Sequence, residues 1–213
     1  PLDLSQEAID RIVPKVGESL FIAWAGTVIG AFFSFPVAFL AANNFSLNTF
    51  SRVTKQILNV IRAFPELILA FVLLPITGLG PLTGTLAVGI HSIGTLGKLS
   101  SEVIEGIDDG PLESIKSSGG SKLNELFFGV IPQVMPTITS YWLYRFEINL
   151  RASAVLGVVG AGGVGAELIN QLRFRDFPRA GTVLVVTIVM VLIVDAISAA
   201  IRRRIIKGRD IKV

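Results

Sequence analysis

Apolar residues in this chain fall into five long runs, each ended by a short polar or Gly/Pro-rich break. A bilayer core is crossed by about 20 mostly apolar helical residues. The runs that approach this length cover residues 19–42, 60–77, 82–99, 135–159 and 181–201. Pro36 interrupts the first, which a membrane helix tolerates better than a soluble one. Gly78-Leu79-Gly80-Pro81 is a strong turn signal and separates the second run from the third. The last run is the most uniform, with Asp195 as its one ionisable residue. No alternating strand pattern intervenes, so the predicted fold is all-α: a polytopic helical bundle with at least five transmembrane helices, forming a single domain over residues 1–213.

A different pattern fills the gap between the third and fourth runs. Gly110-Pro111-Leu112-Glu113 reads as a helix start, with Pro at the first position and a carboxylate facing the positive end of the helix dipole. Gly119-Gly120 ends that helix, and Ser121 offers a cap for a second. In the second, Leu123, Leu126, Phe127 and Val130 recur at i, i+3, i+4 and i+7, which predicts one oily face, with Lys122, Asn124 and Glu125 projecting elsewhere. Residues 103–134 thus form an amphipathic helix pair between membrane helices, suited to pass the motion of a docked partner into the bundle.

Composition supports a lipid-facing chain. Charged residues make up 16% and hydrophobic ones 51%, against about 25% charged in a typical soluble domain. Cysteine is absent and His91 is the single histidine, so disulfides, thiolate metal sites and two-His metal motifs are excluded. The first twenty residues carry Asp3, Glu7, Asp10 and Glu18 and lack the layout of a secretory signal. The chain opens on Pro1 rather than Met, which implies an upstream portion such as a further helix. The net charge of +3 is small, and its placement is more informative. Arg52, Lys55, Arg62, Lys98, Lys116, Lys122, Arg202, Arg203, Arg204, Lys207, Arg209 and Lys212 are expected on one side, and Arg11, Lys15, Arg173, Arg175 and Arg179 on the other. The positive-inside rule makes the first side cytoplasmic, together with the polar loop and the C-terminus.

The fourth run carries Arg145, Glu147, Asn149 and Arg151. An ionisable group at mid-bilayer costs about 2.5–3.5 kcal/mol even on lenient insertion scales, so these side chains should face protein or water. Glu147 and Arg151 are spaced for an i, i+4 pair, leaving Arg145 over on another part of the helix surface. His91 and Asp195 read as hydrogen-bonded packing residues. Two motifs mimic nucleotide sites. Gly160-Ala161-Gly162-Gly163-Val164-Gly165 has the glycines of a dinucleotide fingerprint but lacks its strand and its acid, and reads instead as a helix break near the outer surface. Gly97-Lys98 lacks the P-loop glycine, with Ser92 in its place, and Leu99 stands where Ser or Thr is required. The chain therefore carries no nucleotide site and is not expected to be an enzyme. An intramembrane hydrolase is further disfavoured by the missing Gly-x-Ser-x-Gly and two-His motifs.

Glu113, Gly119 six residues later and Pro132 thirteen beyond that resemble the "EAA" loop of binding-protein-dependent ABC importer permeases, although Ser114-Ile115 replace two alanines and Gly129 an isoleucine. Arg62-Ala63-Phe64-Pro65-Glu66-Leu67, Gly78-Leu79-Gly80-Pro81, His91-Ser92-Ile93-Gly94-Thr95-Leu96-Gly97-Lys98, Tyr144-Arg145-Phe146-Glu147-Ile148-Asn149-Leu150-Arg151 and Val155-Leu156-Gly157-Val158-Val159-Gly160-Ala161-Gly162-Gly163-Val164-Gly165 narrow the likeness to permeases of phosphonate and phosphite importers. The resemblance runs from about Ser19 onward. It implies a type I, MetI-like permease in the inner membrane of a prokaryote, with no cofactor of its own. Two ABC ATPase subunits, which would hold ATP and Mg themselves, would dock on the loop through Glu113, Gly119, Leu123, Leu126 and Phe127. The other implied partners are a second permease copy, making a homodimer, an external phosphonate-type binding protein and the surrounding lipid; nucleic acid is not among them. The anion path would involve Arg145, Glu147, Asn149, Arg151 and His91, although a structural tie through Glu147 and Arg151 fits the same spacing. A permease for another small solute, such as methionine, is the alternative, and a passive channel is a further one.

Overall fold

The computed structural model describes Asp3 and residues 5–210, with side chains for all of these except Ala8 and residues 206–210. Lys212 lies outside the described residues, as do the side chains of Lys207 and Arg209. Among the described residues the ordered elements are all helical: α1 (Gln6–Ala41), α2 (Asn48–Ala63), α3 (Glu66–Thr77), α4 (Pro81–Glu105), α5 (Gly110–Ser117), α6 (Lys122–Asn124), α7 (Ile131–Leu156), α8 (Gly163–Arg173) and α9 (Phe177–Asp210). A π-helical turn, Glu125–Val130, joins α6 to α7, and a 3-10 turn, Gly157–Val159, follows α7.

Helix α4 is the centre of the bundle. Glycines along it and on its neighbours bring backbones together: a Cβ on Gly30 would sit 2.4 Å from Ser92 Cβ, and one on Gly26 2.8 Å from Val88 Cγ1. Gly94 and Gly97 let α2 seat Ile61 and Leu58 against α4, each within 2.9 Å of an added Cβ. Dispersion at such close approach holds membrane helices together where lipid leaves no hydrophobic drive between them. At 25 residues, α4 is about 37 Å long and can cross a bilayer. Enclosed by α1, α2, α3 and α7, it tolerates the buried Thr83, Ser92, Ser100 and Ser101. Its sequence is accordingly less apolar than that of a lipid-facing span. Three helical tracts, Ile9–Ala41, Lys122–Arg173 and Phe177–Ile205, are long and apolar enough to cross by themselves.

The run over 60–77 was expected to be one straight span, and it is broken. Helices α2 and α3 meet at 87°. Pro65 forces the residue before it out of the helical region, and Phe64 adopts φ −81°, ψ 121°. The 12 residues of α3 reach only about 18 Å, shorter than a bilayer core by themselves. Arg62, grouped by sequence with the basic end, lies at this elbow beside His91, in the middle of α4.

The glycine run after α7 turns the chain back on itself. Gly160, Gly162 and Gly163 have φ of +79°, +83° and +71°, and a Cβ on Gly165 would lie 1.8 Å from the Ala154 carbonyl oxygen. The break expected there is therefore a tight reversal that packs α8 onto α7. At the same end of the bundle the Val164 N–H donates to Ser19 Oγ at 3.0 Å. Arg179 donates to Asp3 at 2.8 Å; this hydrogen bond holds the Asp3 carboxyl at about 2. At the opposite end Lys55 pairs with Glu105 at 2.5 Å, and the Asn43 N–H donates to the same carboxylate at 2.7 Å. Lys55 and the start of the polar loop thus share one end, as the charge pattern requires.

Candidate functional site

The polar loop is anchored at both of its ends. Gln133, in the first turn of α7, accepts from the Asp108 N–H at 2.9 Å and donates to the Asp108 and Gly129 carbonyls at 3.1 and 2.9 Å. Leu112 and Leu126 pack on a buried cluster of Ala42, Ile104, Val130, Val134 and Ile138. Helix α5 is thereby joined to the end of α4 and the start of α7. Gly119 takes φ +77°, the left-handed geometry that closes a helix, while the Gly120 N–H donates to the Ile115 carbonyl at 2.9 Å. Ser121 Oγ caps the next helix by accepting from the Asn124 N–H at 3.4 Å. Glu113 is exposed on α5.

Beyond Ser121 the structure departs from the sequence pattern. The expected short second helix has no end of its own; it runs through the π-helical turn into α7. The extra residue in a π turn rotates the side chains after it about the helix axis, and the single oily face is split. Val130 is fully buried and Leu126 half-buried, whereas Leu123, Phe127 and Phe128 are 66%, 58% and 73% exposed. Leu123 and Phe127 therefore do not pack within this chain. Phe128 is exposed beside them, and Glu113 is exposed on α5.

The two departures from the family loop pattern compensate one another. An added Cβ at Gly129 would meet Leu112 Cδ1 at 3.2 Å and Ile115 Cδ1 at 3.4 Å. A large Ile115 on α5 is matched by a missing side chain at position 129. Gly129→Ile alone is expected to lower stability by about 1–3 kcal/mol through overpacking. Combining it with Ile115→Ala should recover part of that loss, which a double-mutant cycle of melting temperatures in detergent would show.

The second constellation is a chain of polar contacts through the middle of the bundle. Arg145 on α7 has a side chain 6% exposed. It donates through Nη2 to Glu66 Oε1 at 2.9 Å and through Nε to Ser92 Oγ at 3.0 Å. His91 Nδ1 lies 2.5 Å from Arg145 Nη2 and 3.0 Å from Glu66 Oε1, and His91 Nε2 lies 3.2 Å from the Arg62 carbonyl oxygen at the end of α2. Asn149, one turn beyond Arg145, donates to Ser92 Oγ at 3.0 Å and to Thr27 Oγ1 at 2.8 Å. Thr27 in turn donates to the Ala23 carbonyl at 2.6 Å. Five helices, α1 to α4 and α7, are thus linked through one network. His91 is hydrogen-bonded within this network, and Arg145, expected to be left over, is its hub.

The expected Glu147–Arg151 pair does not form. Glu147, buried, faces α9 and makes an ion pair with Arg202 at 2.7 Å, and the Arg202 guanidinium lies 5.9 Å from the Tyr144 ring centre. Arg151 bonds Asp195 at 2.5 Å, with its own side chain 52% exposed. Spacing along α7 permitted the internal pair, but two opposite charges on α9 stand at the right heights and compete successfully. The helix-to-helix contact expected of Asp195 is this one. The sequence alone did not single out Glu66, Ser92, Thr27 or Arg202 as members of the site. The available signal was a Pro-Glu step inside an apolar run, since a carboxylate in such a run requires a cation.

Residues 34–207 match the family described as binding-protein-dependent transport system inner membrane component. The chain is 40% identical over 187 residues to the phosphite transport system permease protein PtxC of Stutzerimonas stutzeri, covering 87% of this chain and 68% of that one. It is 41% identical over 209 residues to the phosphate-import permease protein PhnE of Mycolicibacterium smegmatis, covering 92% of this chain and 39% of that longer protein. Among solved structures, an inward-facing MetNI methionine ABC transporter chain superposes with a TM-score of 0.81 at 19% identity, over 95% of this chain and 99% of that one. At that identity the likeness concerns the fold, which is that of a type I ABC importer permease. The bundle, the loop and the match along most of the chain agree: this protein belongs to the family of binding-protein-dependent transport system inner membrane components.

Proposed function

We propose that this chain is the membrane subunit of an ATP-driven importer that carries phosphonate, phosphite or a related phosphorus oxyanion. The observation that carries this reading is the likeness, at 40–41% identity over most of the chain, to permeases named for phosphite and phosphate import. The methionine alternative has weaker support, since permeases named for D-methionine transport are 27–28% identical to this chain. Energy comes from two partner ATPases, which hold ATP and Mg and seat on the loop through the exposed Glu113, Leu123, Phe127 and Phe128. Gly119 sets the turn that presents this surface, and Leu126 and Leu112 secure it to the bundle. Cargo is delivered by an external binding protein on the opposite face. A second permease copy completes the path, and the loop and C-terminus face the cytoplasm. ATP-driven phosphite uptake by vesicles holding the chain with its ATPase and binding protein tests the reading.

A further inference from the structure

Glu66 stands where an anion would be held. It is the first residue of α3, just after the 87° bend from α2, so its carboxylate lies at the positive end of the α3 dipole. Arg145 and His91 converge on the same oxygen, Oε1, at 2.9 and 3.0 Å. The depth is central: His91 and Ser92 lie near the middle of α4, and Arg145 near the middle of α7. Broken helices whose N-termini face an anion near the midplane are a recurring way for transporters to hold charged solutes.

The pair is also asymmetric. The Arg145 side chain is 6% exposed and that of Glu66 24%, so the carboxylate is the more accessible member of the pair. Its hold on Arg145 runs through one oxygen to Nη2, while Nε is taken by Ser92. This end-on contact lacks the doubled geometry of a forked guanidinium–carboxylate pair. A tetrahedral oxyanion offers the same type of acceptor with more oxygens, and guanidinium donors suit it well.

We infer that Glu66 is the resident counter-ion of an oxyanion site formed by Arg145, His91 and the start of α3, and that the transported phosphorus oxyanion takes its place at Arg145 during passage. The inference rests on the cargo class proposed above. Exchange, rather than capture in an empty cage, keeps the cargo weakly held. It also frees α3 from α7 while cargo is present, so occupancy and the angle of the elbow are linked.

The test is retention of labelled phosphite by the assembled permease–ATPase complex without binding protein. The wild type should bind weakly. Glu66→Gln, which removes the competing charge and leaves Arg145, should bind at least ~10-fold more tightly, about one decade in Kd. Glu66→Asp should resemble the wild type, and Glu66→Gln with Arg145→Gln should lose the gain. Unchanged affinity in Glu66→Gln, or a gain that survives the second substitution, overturns the inference. If Glu66→Gln fails to assemble, phosphite in the purification buffer should restore it and the double variant should assemble without phosphite; failure of phosphite to restore assembly overturns the inference as well. The cargo reading fails separately: wild-type complex that does not import phosphite, combined with a gain through Arg145 in Glu66→Gln, leaves an anion site with another cargo.

Discussion

Arg145→Leu is expected to be the most damaging single substitution in this chain, lowering stability by about 1–3 kcal/mol because it leaves the half-buried Glu66 carboxylate without its cation. The side chain is 6% exposed and serves Glu66, Ser92 and His91 together. Removing it leaves Glu66 without its guanidinium partner and breaks the ion pair between α3 and α7. Against a total stability of about 5–15 kcal/mol for a typical domain, such a loss threatens assembly itself. The expected result is a sharply lower melting temperature in detergent and a reduced membrane yield. Restoring neutrality by replacing Glu66 and Arg145 together should be much milder, since both members of the pair are then gone. An Arg145→Leu protein that melts like the wild type would remove the hub from this account.

The second large effect is on coupling. Reversing the charge at Glu113, or placing Val at Gly119, should leave the bundle inserted while uptake falls and ATP hydrolysis continues. The Glu113 side chain is exposed on α5, away from the contacts that hold the bundle together, so its replacement acts on the docked partner. Gly119 has φ +77°, a conformation that strains a β-branched residue by about 1–3 kcal/mol and so displaces the end of α5. A coupling free energy of about 1–3 kcal/mol corresponds to about 5- to 150-fold, and a fall of that size in solute moved per ATP is the expected readout in reconstituted vesicles. An unchanged ratio in both variants would mean that the loop is not the socket.

Much of the fold was legible in the sequence because lipid imposes a simple rule on it. Apolar runs long enough to cross a bilayer identified α1, α7 and α9, and the Gly-Leu-Gly-Pro turn separated α3 from α4. What the runs concealed was the elbow at Pro65. A hydropathy pattern does not register a bend, although a proline beside a glutamate inside an apolar run was a local conflict that should have attracted attention. The loop was legible in its caps, Pro111, Gly119 and Ser121, all placed as expected. The face of its second half was not, because a π turn breaks the 3.6-residue period on which that reading depended. The ion pairs were the least legible part. Glu147 and Arg151 satisfied the local spacing rule, yet each found a partner on α9, 44 to 55 positions along the chain. Charge pairing inside a bundle depends on which helices adjoin, and a single sequence does not contain that information directly.

Movement of a phosphorus oxyanion by this chain at the expense of a partner's ATP can be measured as uptake into proteoliposomes holding the chain, its ATPase and its binding protein. Labelled phosphite and labelled methionine are supplied separately, with and without ATP. Phosphite should accumulate only when ATP is present, and methionine should not accumulate. Accumulation of methionine in place of phosphite, or phosphite flux that is indifferent to ATP, would contradict this function.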